Sequence, residues 1–176
     1  MANKDIEIAK PIRLILSDVD GVLTDGLITI DNAGIESKTF HVRDGLAIKL
    51  WQRCGFRFGI ITARSSQIVK LRAAELGIEL VRQGATDKLA IAREIMQQSQ
   101  TQPHEVAYIG DDLPDLPVMT AVGLSIAVAD AVSEIRAAAV WTTQLPGGRG
   151  AVREAIERLL KAKGSWDQGL PSQVVG

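Results

Sequence analysis

Two carboxylates one residue apart, Asp18 and Asp20, close an apolar run in the stretch Ile12 to Asp25, IRLILSDVDGVLTD. Side chains two apart on an extended chain point to the same side, so this pair can approach one small target together. Two facing acids repel, and a polar strand end needs neither. The pair makes sense around a cation that also meets a phosphoryl group, because Mg²⁺ takes oxygen ligands from carboxylates and substrate phosphates at once. The plainer alternative is an acidic turn or a helix cap after a strand. Three further clusters bear on the choice: Thr62 after a second apolar run, Lys88 at a helix start, and Asp111 with Asp112 after a third. Taken singly, these read as a cap, a solvated lysine and a turn. Their joint appearance at strand ends points to phosphoryl chemistry.

The elements that would position them follow from the pattern. Apolar runs at Ile12 to Leu16, Phe56 to Ile61, Ile78 to Val81, Val106 to Ile109, Leu124 to Val128 and Val140 to Thr142 read as strands. Helices are expected from Asp44, as N-cap, to about Cys54, then to Leu76 with Gly77 as stop. Others follow from Thr86, as cap, to Gln98, around Asp115 to Ala121, near Val132 to Ala138, and from Ala151 to Lys163. Strands separated by single helices predict a parallel sheet covered on both faces, a doubly wound, Rossmann-like α/β fold. Ligands in such folds bind at the carboxyl ends of the strands, where these polar clusters lie. Asp31-Asn32-Ala33-Gly34 favours a turn between Leu27–Ile30 and Glu36–Phe40, so residues 26–40 are expected to form a β-hairpin outside the main alternation. Its Leu27, Ile28, Ile30 and Ile35 would be partly exposed in a lone subunit, and a partner subunit would cover them. Residues after Lys163 are expected to form an irregular tail, about 164–176.

A chain of 176 residues, 46% hydrophobic, suits one domain over residues 1–176. Twenty basic and 21 acidic residues leave a net charge of −1, so no global field draws the protein to nucleic acid or an anionic membrane. Any anion must be gripped locally. The single cysteine, Cys54, cannot form an internal disulfide and is expected to pack as a small hydrophobe. The first ten residues lack the apolar core of a signal peptide, and no apolar stretch reaches the ~18 residues of a membrane span. These features predict a cytoplasmic protein.

The motifs DVDGVLTDG (Asp18 to Gly26), FHVRDG (Phe40 to Gly45), Arg64, VAYIGDDLPDLPVM (Val106 to Met119), IAVAD (Ile126 to Asp130) and GGRGAVRE (Gly147 to Glu154) resemble those of the haloacid dehalogenase superfamily of phosphohydrolases, in its cap-less branch. The likeness runs from Ile12 to about Arg153. Only 41 residues lie between Asp20 and Thr62, and 25 between Thr62 and Lys88, so no cap domain fits. The resemblance implies a nucleophile at Asp18 that forms an aspartyl-phosphate, and an acid and then base at Asp20. It implies Mg²⁺ held by the Asp18 carboxylate, the Asp20 backbone carbonyl and Asp111. Thr62 and nearby N–H groups would hold the phosphoryl oxygens, Lys88 would add positive charge and restrain Asp18, and Asp112 and Asp115 would support the metal's waters or Lys88.

The same resemblance implies a small-molecule phosphate ester as substrate, 3-deoxy-D-manno-octulosonate 8-phosphate, or alternatively a nine-carbon sugar-acid 9-phosphate. It also implies a homotetramer in which a neighbour's segments cover the open site. Arg64 suits a substrate carboxylate, since guanidinium pairs with it in two-pronged fashion, and Arg149 is a second candidate anion contact. His41 is expected to be structural. A receiver-like domain, phosphorylated on aspartate as a switch, also gathers acids, a Thr and a Lys around Mg²⁺, but the acid pair here opens the series of strands.

Overall fold

The computed structural model describes residues 3–169. Eight helices and eight strands appear in the order α1 (Asn3–Ala9), β1 (Leu14–Ser17), β2 (Thr29–Ile30), β3 (Glu36–Ser37), α2 (Val42–Arg53), β4 (Arg57–Ile61), α3 (Gln67–Leu76), β5 (Leu80–Arg82), α4 (Lys88–Gln98), β6 (Val106–Gly110), α5 (Leu116–Met119), β7 (Leu124–Ala127), α6 (Ser133–Ala138), β8 (Trp141–Thr142), α7 (Ala151–Ala162) and α8 (Trp166–Gly169). Six strands form one parallel sheet in the order β5-β4-β1-β6-β7-β8, while β2 and β3 pair antiparallel as a separate hairpin. The doubly wound α/β fold expected from the alternation is the one observed.

The central strand β1 is buried along its whole length, with β4 on one side and β6 on the other. That double flanking explains its unbroken apolar run. Because β1, β4 and β6 are parallel neighbours, their carboxyl ends open onto one edge. The long helices are held by apolar stripes at helical spacing: in α7, Val152, Ala155, Ile156, Leu159 and Leu160 are all buried. Helix α7 lies against α2, with α1 and α8 beside it, and α4, α5 and α6 form a second packed set.

Several local expectations give way to tertiary contacts. The β1 ladder stops at Ser17, and Val19 O accepts the N–H groups of Val22, Leu23 and Thr24, so Asp20 lies in a turn rather than on extended chain. The cap of α2 is His41, whose Nδ1 accepts the Arg43 N–H; Asp44 is buried one turn in. Asp87 rather than Thr86 caps α4, accepting the Ala90 N–H at 3.0 Å. The helix expected around Asp115 to Ala121 is split into a 3₁₀ turn, Leu113–Asp115, and the short α5, with Pro114 and Pro117 each near a start. Hairpin pairing spans two residues per strand, less than residues 26–40 suggested, and β5 begins two residues later than expected. The expected irregular tail contains a helical turn at Trp166–Gly169, where Arg153 and Lys161 lie over the Trp166 ring; residues 170–176 fall outside the described range. The N-terminal helix α1 carried no strong sequence signal. Its Asp5 pairs with Arg158 of α7 at 2.9 Å.

Asp44 explains why an acid sits buried in the first turn of α2. Its Oδ1 accepts the N–H of Arg153 at 2.7 Å, in the first turn of α7, where the helix itself offers no acceptor. One helix thus caps another. Asp44→Ala is expected to destabilise the protein by about 1–2 kcal/mol, the usual cost of a lost cap. A urea unfolding curve checks this, through a lower midpoint at unchanged slope.

Candidate active site

The site is built on the ends of β1, β4 and β6 and the start of α4. Asp18 stays in register by donating its N–H to Ile109 O at 3.1 Å, one residue past β1. Both its carboxylate oxygens are engaged: Oδ1 accepts the Val19 N–H at 2.7 Å, and Oδ2 lies 2.7 Å from Lys88 Nζ. Lys88 is buried and bridges to Asp115 Oδ1, also at 2.7 Å. Asp115, fully buried, accepts the Tyr108 hydroxyl at 2.6 Å on that same oxygen and the N–H groups of Asp111 and Asp112 on the other, at 3.0 and 3.3 Å. The Asp115 carboxylate is saturated with donors.

Asp18, Asp111 and Asp115 each present a carboxylate oxygen within 4.8 Å of the others. Asp115 has no lone pair left for a metal in that trio, because Lys88, Tyr108 and two amides occupy both its oxygens. Asp111 is different. Its Oδ1 is buried with no hydrogen-bond partner. Burial, then the charges of Asp115 and Asp18, push its carboxyl up to about 8; burial and Asp115 push Asp18 up to about 6, against the pull of Lys88. Burial alone would lower the Lys88 pKa, but Asp18 and Asp115 outweigh it and the net shift is upward. An orphaned buried carboxylate oxygen beside a second acid fits a divalent cation with oxygen ligands. Gly21 makes room for this arrangement: its backbone is left-handed, and a Cβ there would lie 2.0 Å from Asp111 Oδ2.

Thr62 follows β4 and is buried; its N–H continues the ladder to Arg82 O at 3.0 Å. Its hydroxyl oxygen accepts the Arg64 N–H at 3.3 Å, so the hydroxyl hydrogen is left to donate elsewhere. Asp20 meets Lys38 Nζ, with Arg64 Nε 4.0 Å from its other oxygen. Arg64, 44% exposed, also pairs with Glu36 Oε1 at 2.8 Å. Arg149 is not part of either group. It is 67% exposed on the glycine loop, 3.7 Å from Asp25. Asp112 faces solvent and caps the 3₁₀ turn through the Leu113 N–H. His41 serves as a helix cap, and Cys54 is partly buried against the core.

Two residues of this neighbourhood escaped the sequence reading, Lys38 and Tyr108. Lys38 and Glu36 share one side of an extended segment by simple alternation, which would have placed a cation and an acid together on the hairpin. Tyr108 is the chain's single tyrosine, set in an otherwise apolar strand, and a buried phenol needs a partner.

The haloacid dehalogenase-like hydrolase family model matches residues 77–156. The 3-deoxy-D-manno-octulosonate 8-phosphate phosphatase of Yersinia pestis is 47% identical over 163 residues, 93% of this chain and 87% of that protein. Its crystal structure aligns with a TM-score of 0.93 at 45% identity, covering 97% of this chain and 93% of the other. The Moraxella catarrhalis phosphatase of the same name, solved in complex with a magnesium ion, a phosphate ion and a KDO molecule, aligns with a TM-score of 0.92 at 40% identity over 96% and 97%. Fold and site together define a haloacid dehalogenase-like hydrolase. Within that class, the chain belongs to the 3-deoxy-D-manno-octulosonate 8-phosphate phosphatase family.

The raised Asp111 carboxyl has a measurable consequence for stability. A carboxyl at about 8 when folded and near 3.8 when unfolded holds its proton longer in the folded state, so stability falls as pH rises between those values. Without metal, the urea midpoint is expected to drop from pH 5 to pH 8, and to drop less in Asp111→Asn. A divalent cation flattens the profile of the parent protein alone.

Proposed function

We propose that the protein is a Mg²⁺-dependent phosphatase that hydrolyses 3-deoxy-D-manno-octulosonate 8-phosphate through a phosphorylated Asp18. The observation that carries this is the Asp18–Lys88–Asp115 chain beside the orphaned Asp111 oxygen, a cluster suited to an anion only when a cation is present. The Asp18 and Asp111 carboxylates and the Asp20 backbone carbonyl would hold Mg²⁺. When bound, the ion offsets the repulsion between a carboxylate and a phosphate dianion.

The chain's own residues account for the rest. Asp18, aimed by Lys88 and the Val19 amide, attacks phosphorus; the bond to the sugar oxygen breaks, and Asp20 gives that oxygen a proton. Asp20 then takes a proton from water as its oxygen bonds to phosphorus, freeing Asp18 and inorganic phosphate. Thr62 donates its free hydroxyl hydrogen to a phosphoryl oxygen, and Lys88 balances charge beside it. Arg64, half exposed at the mouth, offers two-pronged recognition of the sugar-acid carboxylate. Arg149 stands farther out as a weaker anion contact, and Asp115 holds Lys88 in place.

The open mouth is completed by assembly. Leu27, Ile28, Ile30 and Ile35 are each more than half exposed on the hairpin, and Val42 and Leu46 are exposed on α2. We read it as the contact of a homotetramer in which neighbours shield each site from water. Among the described residues no helix is long and apolar enough to cross a membrane, and the enzyme is read as cytoplasmic.

The test is a panel of sugar phosphates with Mg²⁺, assayed for released phosphate. The eight-carbon ester should give the highest kcat/KM, ahead of the nine-carbon 9-phosphate, and Asp18→Asn should lose at least about 10³-fold. Equal turnover after metal removal, or activity surviving in Asp18→Asn, overturns the mechanism; a stoichiometric, long-lived phosphoprotein favours the receiver-like switch. In Arg64→Ala, KM for the sugar-acid ester should rise by about 10-fold or more, while p-nitrophenyl phosphate, which lacks the carboxylate, should respond little. For assembly, Ile28→Glu with Ile35→Glu should shift the mass measured by light scattering to that of a monomer.

A further inference from the structure

The mouth of the site contains a closed ring of alternating charge supplied half by the hairpin. Lys38 Nζ meets Asp20 Oδ1 on one side and Glu36 Oε1, at 3.4 Å, on the other. Glu36 Oε1 also accepts Arg64 Nη2 at 2.8 Å, and Arg64 Nε returns to Asp20 Oδ2 at 4.0 Å. We propose that Lys38 is a positioning residue for the reaction, fixing the Asp20 carboxylate at the mouth of the site from the hairpin.

Three observations carry this. The Lys38 side chain is 1% exposed, and a lysine is almost never buried so far unless it is paired. An ordinary surface pair contributes little, but here the amine is sealed between two carboxylates and cannot exchange them for water. Second, among the described residues the Asp20 carboxylate has no polar partners except Lys38 and Arg64. Asp20 lies in the turn after β1 rather than in the ladder, so nothing in the sheet fixes its rotamer. Third, Arg64 is the exposed member of the ring and the one suited to leave it for a substrate carboxylate. When it does, Lys38 is the remaining tether on Asp20. Glu36 and Lys38 share one side of the strand and the exposed Ile35 takes the other, while the exposed Ile30 pairs in register with Glu36, so the element that seats Asp20 is also the one offered to a partner subunit.

This inference rests on Asp20 acting as acid and base. The test compares Lys38→Met, Lys38→Arg, Glu36→Gln and Asp20→Asn, alone and as Lys38→Met with Asp20→Asn, using the intact protein and the sugar-acid phosphate. Misplacing a reacting group by about 1 Å costs on the order of 100-fold, so Lys38→Met should lower kcat by about 100-fold while KM moves by no more than about threefold. Lys38→Arg should recover most of that loss. In the Asp20→Asn background, Lys38→Met should cost nothing further, because there is no carboxylate left to hold. Glu36→Gln edits a partly exposed residue and serves where Lys38→Met folds poorly: it opens the ring behind Lys38 and should lower kcat by several-fold, on the order of 3- to 10-fold.

An unchanged kcat in Lys38→Met or in Glu36→Gln overturns the positioning role. A loss seen in KM alone, or an equal loss with and without the Asp20 carboxylate, overturns it too, because Lys38 would then act on substrate or on folding. Asp20→Asn retaining full activity is a separate result: it removes the acid–base reading itself.

Discussion

A single buried lysine holds the structure's electrostatics together. Three acids, Asp18, Asp111 and Asp115, converge at the ends of neighbouring strands, and Lys88 is the cation that touches two of them. Three carboxylates against one ammonium leave the cluster short of positive charge, and burial together with that shortage raises the carboxyl pKa values of Asp18 and Asp111. The folding free energy of the sheet and helices tolerates this locally unfavourable arrangement. Its strain is directed at a cation, and on the proposed chemistry the cation in turn admits the phosphate. Asp115 absorbs four donors, so it serves the cluster as a fixed anchor for Lys88 rather than as a ligand.

How much of this the sequence disclosed depends on the range of each interaction. The parallel sheet was legible because β1, β4 and β6 are buried on both faces and must therefore be apolar without interruption, whatever surrounds them. Asp18, Thr62 and Asp111 stood out because a polar residue immediately after such a run lies at the ligand-binding edge. Local signals failed where a distant segment supplied the partner. An acid near a helix start reads as a cap, yet Asp44 serves a helix 109 residues later, and His41 takes the local role. Lys38 was hard to read for the same reason: alternation pairs it with Glu36, but its other partner, Asp20, lies in a turn 18 residues earlier. The two prolines that split the segment after Asp112 were visible, but their effect on a short helix depended on the Asp115 carboxylate turning inward to Lys88.

The hairpin joins two properties that usually reside on separate elements. It exposes Leu27, Ile28, Ile30 and Ile35 and also turns Lys38 and Glu36 to the mouth of the site, although each strand pairs over only two residues. So little pairing holds a hairpin weakly in water. It is fastened to the site by the ring of Lys38, Glu36, Arg64 and Asp20, which makes the geometry of the mouth and the stability of the hairpin a single question.

The glycine loop after β8 has a consequence for how the protein comes into being. A Cβ at Gly147 would lie 1.7 Å from Gly21 O, and Gly148 donates its N–H to Val22 O at 2.9 Å. The turn carrying Asp20 is therefore clasped by residues that are translated more than 120 positions later. A chain ending before that loop lacks the amide that Val22 O accepts and the glycine that packs on Gly21 O. The acidic turn is completed only where the far end of the polypeptide closes over the near one.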